Sequence, residues 1–419
     1  MDQVEIVTRQ ADLEAYCRNW RRLGRLAFDT EFIRDETYES ALCLIQVAAD
    51  GQVVLIDPTA PIDLASFWDL VTDPTVTTIV HAGKEDFEVC LRSTARTPCN
   101  VFDVQIAAGF LGYGYPLSLT RLMADVLGQR ISKGQTLTDW LRRPLTDAQV
   151  RYAVEDVIHL PKVYEKLSAG LEERGRSAWA AEEFRRFEDA AFYEPPVRER
   201  LFRLKGTKRL DGLGLAVLER LIAWRDQWAE ERNRPLRAMM RDDVLVEIAR
   251  RRPRRASDLE VMRGFPQARN PKVIRELLAL IEDATRLPKS EWPVPYKQPK
   301  EAPMSRIMLD ILSAVTRATC EEQGVSHELV CTTQRLREVL DYRAGLITER
   351  PALLRGWREG FIGQRLLDLL DGHCELHVSG WPKHAHLEIV THNSRLGGRK
   401  ADLRVQESGG GNTRPACES

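Results

Sequence analysis

Leu26-Ala27-Phe28-Asp29-Thr30-Glu31-Phe32 is an apolar run of strand formers that carries two carboxylates one residue apart. In a strand, residues i and i+2 point to the same face, so Asp29 and Glu31 project side by side. Two like charges held that close repel, and each raises the other's pKa unless a cation lies between them. The ordinary alternative is a solvated strand end. The apolar flanks on both sides argue against it, because they describe a strand buried on its other face. Oxygen ligands of this kind suit a hard cation, Mg²⁺ or Mn²⁺.

Working outward, the flanking segments predict an α/β domain. Val4 to Val7 reads as a short strand, followed by a helix from about Ala11 to Arg22. Leu42–Ala48 and Val53–Asp57 flank Asp50-Gly51, a hairpin signal, so the first three sheet strands after that helix should be antiparallel neighbours. Thr77–His81 predicts a further strand and Gly83–Arg92 a helix. Asp86 lies just beyond that strand, where α/β sheets place their ligands, although acids in a first turn also favour the helix dipole. Asp103 reads as a helix cap. Thr146 and Asp147 start a helix expected to run through Leu160, with Tyr152 and Asp156 one turn apart on one face. A surface pair of this kind is common; together with Asp29, Glu31 and Asp86 it becomes a constellation. Four carboxylates and a phenol are what two-metal phosphodiester hydrolysis needs: two cations activate water and stabilise the leaving oxygen, and the phenol orients the attack.

The 419 residues, 43% hydrophobic and 29% charged, describe an ordinary globular chain of several domains. No apolar run approaches the roughly twenty residues of a membrane span. The start, Met1-Asp2-Gln3-Val4-Glu5, lacks the basic-then-apolar order of a signal peptide. Eight cysteines without paired spacing predict reduced thiols and a cytoplasmic protein. The net charge of −1 hides an asymmetry. Residues 1–190 hold 21 basic and 30 acidic side chains, and residues 191–285 hold 21 and 15. An acidic half that concentrates cations, followed by a basic module, suits an enzyme acting on a polyanion.

The second half predicts helices at Arg198–Leu204, Leu210–Arg232, Asp242–Arg250, Ser257–Arg263 and Lys272–Ala284. Arg250, Arg251, Arg252, Arg254 and Arg255 form a basic edge able to meet phosphates, or a solvated helix end. Lys133, in the polar loop Ser132–Trp140, could likewise stand near a phosphate. Residues 286–303, rich in proline, predict a linker. Helices follow at Arg306–Glu322, Glu328–Val330, Thr333–Tyr342 and Gln364–Leu370, with a closing hairpin of Cys374–Val378 and His386–Val390. His373, Cys374, His377, His384 and His386 cluster there without the spacing of a zinc site. Residues 394–419 read as a disordered tail.

Phe28-Asp29-Thr30-Glu31-Phe32, His81-Ala82-Gly83-Lys84-Glu85-Asp86 and Tyr152-Ala153-Val154-Glu155-Asp156 resemble, in order, the three motifs of the DEDD exonuclease superfamily. Arg151 stands where the histidine branch would carry its histidine, so the resemblance is to the tyrosine branch. Leu44-Ile45-Gln46, Phe102–Ala108 and Thr138–Leu145 resemble the ribonuclease D family in particular. Arg234–Arg237, Arg241–Leu245 and Ile248–Pro253 resemble an HRDC domain, a small helical module associated with nucleic acids, and Leu353–Arg358 resembles a second, divergent copy.

The resemblance implies a ribonuclease-H-like mixed sheet flanked by helices at 1–190. It further implies an HRDC domain at 191–285, the linker at 286–303 and a second HRDC-like unit with the hairpin at 304–393. It implies that Asp29 bridges two divalent cations, that Glu31 and Asp156 complete one, that Asp86 serves the other through water, and that Tyr152 orients the nucleophile. The implied activity is a monomeric 3′→5′ exoribonuclease releasing 5′-mononucleotides from RNA with a free 3′ end, with tRNA precursors and other small structured RNAs as substrates. A single-strand DNA exonuclease would use the same constellation, and a catalytically silent RNA-binding scaffold would share the fold. The competent residues at all five positions weigh against the scaffold.

Overall fold

The computed structural model describes residues 4–33, 37–38, 40–129, 139–265, 270–295, 305–380 and 386–391. The acid-bearing run is a central strand, β2 (Arg25–Ile33), entered from α1 (Gln10–Leu23) through Gly24. Before them comes β1 (Glu5–Val7); after them come β3 (Ala41–Ala49) and β4 (Gln52–Ile56). The Asp50-Gly51 turn has both residues at positive φ, 52° and 73°, the conformation a tight hairpin demands of Asp-Gly.

Beyond β4 the chain forms α2 (Ala65–Val71), β5 (Thr77–Val80), α3 (Lys84–Thr94), β6 (Val101–Asp103), α4 (Val104–Phe110) and α5 (Leu119–Leu127). The sheet order is β1-β4-β3-β2-β5-β6. As expected, β2, β3 and β4 are antiparallel neighbours, while β1, β5 and β6 join by parallel pairing. β6 was not legible in the sequence: three residues are too few for an alternation, and only pairing with β5 makes them a strand.

Helices cover both faces. On one, Phe28 meets Phe67 of α2 and Phe87 of α3 edge to face at 5.5 and 5.8 Å. On the other, Ala153 packs with Leu44 and Leu55. Ala153 belongs to α6 (Asp147–Val157), which starts at a Thr146/Gln149 capping box. The helix expected to run through Leu160 ends at Val157, and a new one, α7 (Leu160–Glu173), begins with Pro161 in its first turn. Proline has no N–H for the preceding turn, which makes it an opener of helices. Next is α8 (Ser177–Phe184).

The short α9 (Ala190–Tyr193) still packs on the first core through Tyr193; a second core follows, in α10 (Val197–Leu201), α11 (Gly212–Glu231), α12 (Leu236–Met239), α13 (Asp242–Arg251), α14 (Ala256–Glu260) and α15 (Pro271–Arg286). Leu215, Leu218, Leu221, Leu245, Ile248 and Leu277 fill it from α11, α13 and α15. The remaining elements are α16 (Ser305–Gln323), α17 (His327–Val330), α18 (Thr333–Arg343), α19 (Gly356–Arg358), α20 (Gln364–Leu370), and the antiparallel hairpin β7 (Cys374–Ser379) and β8 (His386–Thr391). Their apolar residues are continuous with the core of the sheet domain. Among the described residues no helix is long and apolar enough to cross a membrane. The tail, Lys133 and much of the linker lie outside the described residues.

Candidate active site

Three elements, β2, α3 and α6, build the site. β2 presents Asp29 and Glu31 on the face that α6 covers; the register sets Asp29 opposite Gln46 and Glu31 opposite Leu44. Immediately after Glu31 the register slips, because Cys43 is an extra residue between Leu44 and Leu42. Such a bulge bends the strand and re-aims its side chains. From α6, Asp156 reaches into the same volume. One oxygen each of Asp29, Glu31 and Asp156 lie within 4.8 Å of one another.

Asp86 comes from the opposite layer, in the first turn of α3. Its carboxylate, 5% exposed, accepts the Thr30 hydroxyl at 2.5 Å. It stands outside the three-carboxylate group, yet near enough that its charge raises the pKa of Asp29 and Glu31. The loop that carries it is pinned by Asp103. That carboxylate accepts the Gln105 and Ile106 N–H groups at 2.8 and 3.2 Å, as a helix cap does, and also the Gly83 N–H at 3.2 Å. Tyr152, one turn before Asp156, sets its phenol beside the Asp156 carboxylate, close enough that each shifts the other's pKa. Its ring leans on Trp140 with centroids 6.0 Å apart.

The electrostatics are those of a site made for a cation. Burial, with Asp86, Asp156 and Glu31 adding their charge, pushes Asp29 far above the usual carboxylate range. Burial first, then Asp156 and Asp86, pushes Glu31 up to about 8. Asp156 rises to about 7 through burial, and Asp86 to about 6 for the same reason, held back by the Thr30 hydroxyl. The Tyr152 phenol is pushed up by burial and the neighbouring carboxylates, so it remains a donor at neutral pH. A cation fits this donor set: Asp156 Oδ2 is buried with no hydrogen-bond partner among the described residues, beside two further carboxylates.

Two further features escaped the sequence reading. Gln46 is fully buried opposite Asp29, with neither amide atom partnered among the described residues. Arg143 clamps the loop before α6, described below. The Leu44-Ile45-Gln46 stretch carries the family resemblance, but only strand pairing brings Gln46 to Asp29. Of the five arginines, Arg250 and Arg251 share Glu247 and Arg252 bonds Asp211, while Arg251, Arg252 and Arg254 line a groove of about 690 Å³. Lys133 lies outside the described residues.

The fold and the carboxylate cluster define a class, the 3′→5′ exonucleases that depend on divalent metal, here with a helical module attached. The 3′-5′ exonuclease family model matches residues 4–172 and the HRDC domain model matches residues 214–281. Ribonuclease D of Pseudomonas paraeruginosa is 37% identical over 375 residues, covering 88% of this chain and 98% of the relative. That of Granulibacter bethesdensis is 35% identical, covering 90% and 94%. The crystal structure of Escherichia coli RNase D, described as an exoribonuclease involved in structured RNA processing, superposes with a TM-score of 0.77. It is 29% identical to this chain, over 88% of it and 99% of the E. coli protein. The chain belongs to the ribonuclease D family, and it is a hydrolytic 3′→5′ exoribonuclease.

Proposed function

We propose that this enzyme trims the 3′ ends of tRNA precursors and other small structured RNAs, one 5′-mononucleotide at a time, as a cytoplasmic monomer. The observation that carries the reading is the cluster of Asp29, Glu31 and Asp156 with the Tyr152 phenol beside the last of them. Two divalent cations, Mg²⁺ or Mn²⁺, supply Lewis acidity and charge neutralisation at the scissile phosphate when bound. Asp29, Glu31 and Asp156 would hold them, and Asp86 would serve from the second layer in an orientation set by Thr30. Tyr152 keeps its proton and uses it to fix the attacking water in line with the phosphorus.

The three-part division at 1–190, 191–285 and 304–393 serves the same task. The helical units hold the folded body of the RNA while a single-stranded 3′ end enters the cluster. The groove beside Arg251, Arg252 and Arg254 tracks the phosphate backbone, with Arg250, Arg255 and Lys133 adding to the field.

Asp29→Asn or Asp156→Asn should abolish Mg²⁺-dependent mononucleotide release while the far-ultraviolet circular dichroism stays that of the wild type; full activity in either variant ends the assignment. Matched RNA and DNA single strands decide between ribose and deoxyribose, since the 2′-hydroxyl is what separates them. Sequencing of cellular RNA 3′ ends with and without active enzyme tests the tRNA assignment.

A further inference from the structure

Between the described residues of the polar loop and α6 runs a short segment, residues 139–146, without regular structure. The Gln149 amide ties its two ends, accepting from the Thr146 N–H at 2.9 Å and donating to the Asp139 carbonyl at 3.2 Å, and Arg143 holds its middle. The Arg143 guanidinium donates from Nε and Nη2 to both oxygens of Asp57 at 2.6 Å each. Nη2 also reaches the Cys43 carbonyl at 2.7 Å, and Nη1 the Trp140 carbonyl at 2.7 Å. Asp57, 6% exposed, is itself fixed just after β4 by the N–H and hydroxyl of Thr59 at 2.9 and 2.7 Å. The guanidinium thereby ties the loop to β3 and to the end of β4 at once. A planar fork that satisfies a carboxylate and two carbonyls fixes direction as well as distance.

What that clamp positions is Trp140. The indole is 5% exposed and packs with Leu44, Leu55 and Ala153 between the sheet and α6. Its ring is also the wall on which the half-buried Tyr152 ring leans. Asp57, Arg143, Trp140 and Tyr152 thus form one continuous chain of contacts from the end of β4 to the phenol. We infer that Arg143 is a positioning residue for the hydrolytic reaction, holding the Tyr152 phenol in place through Trp140. This rests on the role of Tyr152 proposed above. Of the three metal-cluster carboxylates only Asp156 meets this chain of contacts, beside the Tyr152 phenol, and it is carried by α6 itself, while Asp29 and Glu31 lie on β2, outside the clamp. The expected signature is therefore on turnover and not on metal or substrate binding. A displacement of about 1 Å in a positioning group can cost roughly a hundredfold in rate.

The test compares Arg143→Ala, Tyr152→Phe and the double variant on an oligoribonucleotide, with Mn²⁺ affinity measured by calorimetry on each. Arg143→Ala should lower kcat about tenfold or more, with KM and Mn²⁺ affinity within about threefold of wild type. In the Tyr152→Phe background the same substitution should cost less than about twofold, because the two act through one hydroxyl. Equal losses in both backgrounds, or wild-type kcat in Arg143→Ala, overturn the inference. Should Arg143→Ala fail to fold, Trp140→Phe against Trp140→Leu takes its place. The aromatic variant should keep most of the turnover and the aliphatic one lose it, and equal kcat in the two overturns the inference. A Tyr152→Phe enzyme with wild-type kcat removes the site reading and the inference with it. A slow Tyr152→Phe enzyme beside a fast Arg143→Ala enzyme removes the inference alone.

Discussion

Asp29, Glu31 and Asp156 crowd three negative charges into one small, half-buried volume, and the chain tolerates this only if protons or cations share the space. The sign of the pH dependence follows. A carboxyl whose pKa is higher in the folded chain binds more protons when folded, so its contribution to stability falls as pH rises through the gap. For Glu31 that gap runs from the ordinary 4.5 to about 8, and for Asp156 from 3.8 to about 7. The metal-free protein should accordingly lose thermal stability between these limits, and Glu31→Gln should flatten the fall; parallel melting curves for the two proteins would refute the assignment. Adding Mn²⁺ should raise the melting temperature more near pH 8 than near pH 6, with proton release detectable by calorimetry in buffers of different ionisation enthalpy. These residues were legible in the sequence because i, i+2 on a strand and i, i+4 on a helix are local geometry. The partnership of Asp86 with Thr30 was not, since it spans 56 positions and two layers.

At the scale of elements, the site depends on how β3 bulges beside β2 and on how the start of α3 is held. Asp103 illustrates the second point. Read from sequence as a cap of α4, it also holds the N–H of Gly83, the residue before α3, so one buried carboxylate fixes two helix starts. Asp103→Ala would strand three backbone donors, those of Gly83 and Ile106 buried and that of Gln105 partly so. Loss of a cap alone costs about 0.5–2 kcal/mol, and each further unsatisfied buried group adds about 1–3 kcal/mol. Chemical denaturation should show a loss above about 2 kcal/mol, and the folded fraction should bind Mn²⁺ normally yet turn over slowly, since Asp86 hangs from the same loop. A loss within about 0.5 kcal/mol would mean that the turn holds itself. The sequence showed the Asp-Gly hairpin and the helix caps because turn chemistry is local. It did not show the bulge after Glu31 or the short β6, which exist only as relations between strands.

Across the whole molecule, the last helical unit is welded to the exonuclease domain. Arg358 donates to Glu183 at 2.5 Å and to the carbonyls of Val330 and Leu329 at 2.9 Å each, and the Trp357 indole donates to the same carboxylate at 2.9 Å. Glu183 is 3% exposed; burial alone would raise its pKa, but the Arg358 guanidinium more than offsets this and holds the carboxyl below its ordinary value. Its contribution is therefore full above pH 4.5 and fades as pH falls through the lowered value. Glu183→Gln leaves the guanidinium buried without its counter-charge and should cost about 3–5 kcal/mol in denaturant unfolding. A cost under about 1 kcal/mol would show that water enters the joint. The unit built on α11, α13 and α15 keeps a core of its own. Calorimetry should resolve its melting from a second transition shared by the exonuclease domain and the last helical unit, whereas a single transition would count against that partition.

The sequence by itself determined the strand with its two acids, the tyrosine and aspartate one turn apart, the helical character of the second half and the order of the modules. The first three are written in a period of two, a period of 3.6, or the chemistry of a turn; the order of the modules is what the motif resemblance implies. Only the tertiary structure decided that Gln46 lies under Asp29, that Arg143 reaches Asp57 across 86 positions, and that the last helices share the exonuclease core while the middle ones do not. Those relations come from burial, which joins residues by their distance in space and takes no account of their separation along the chain.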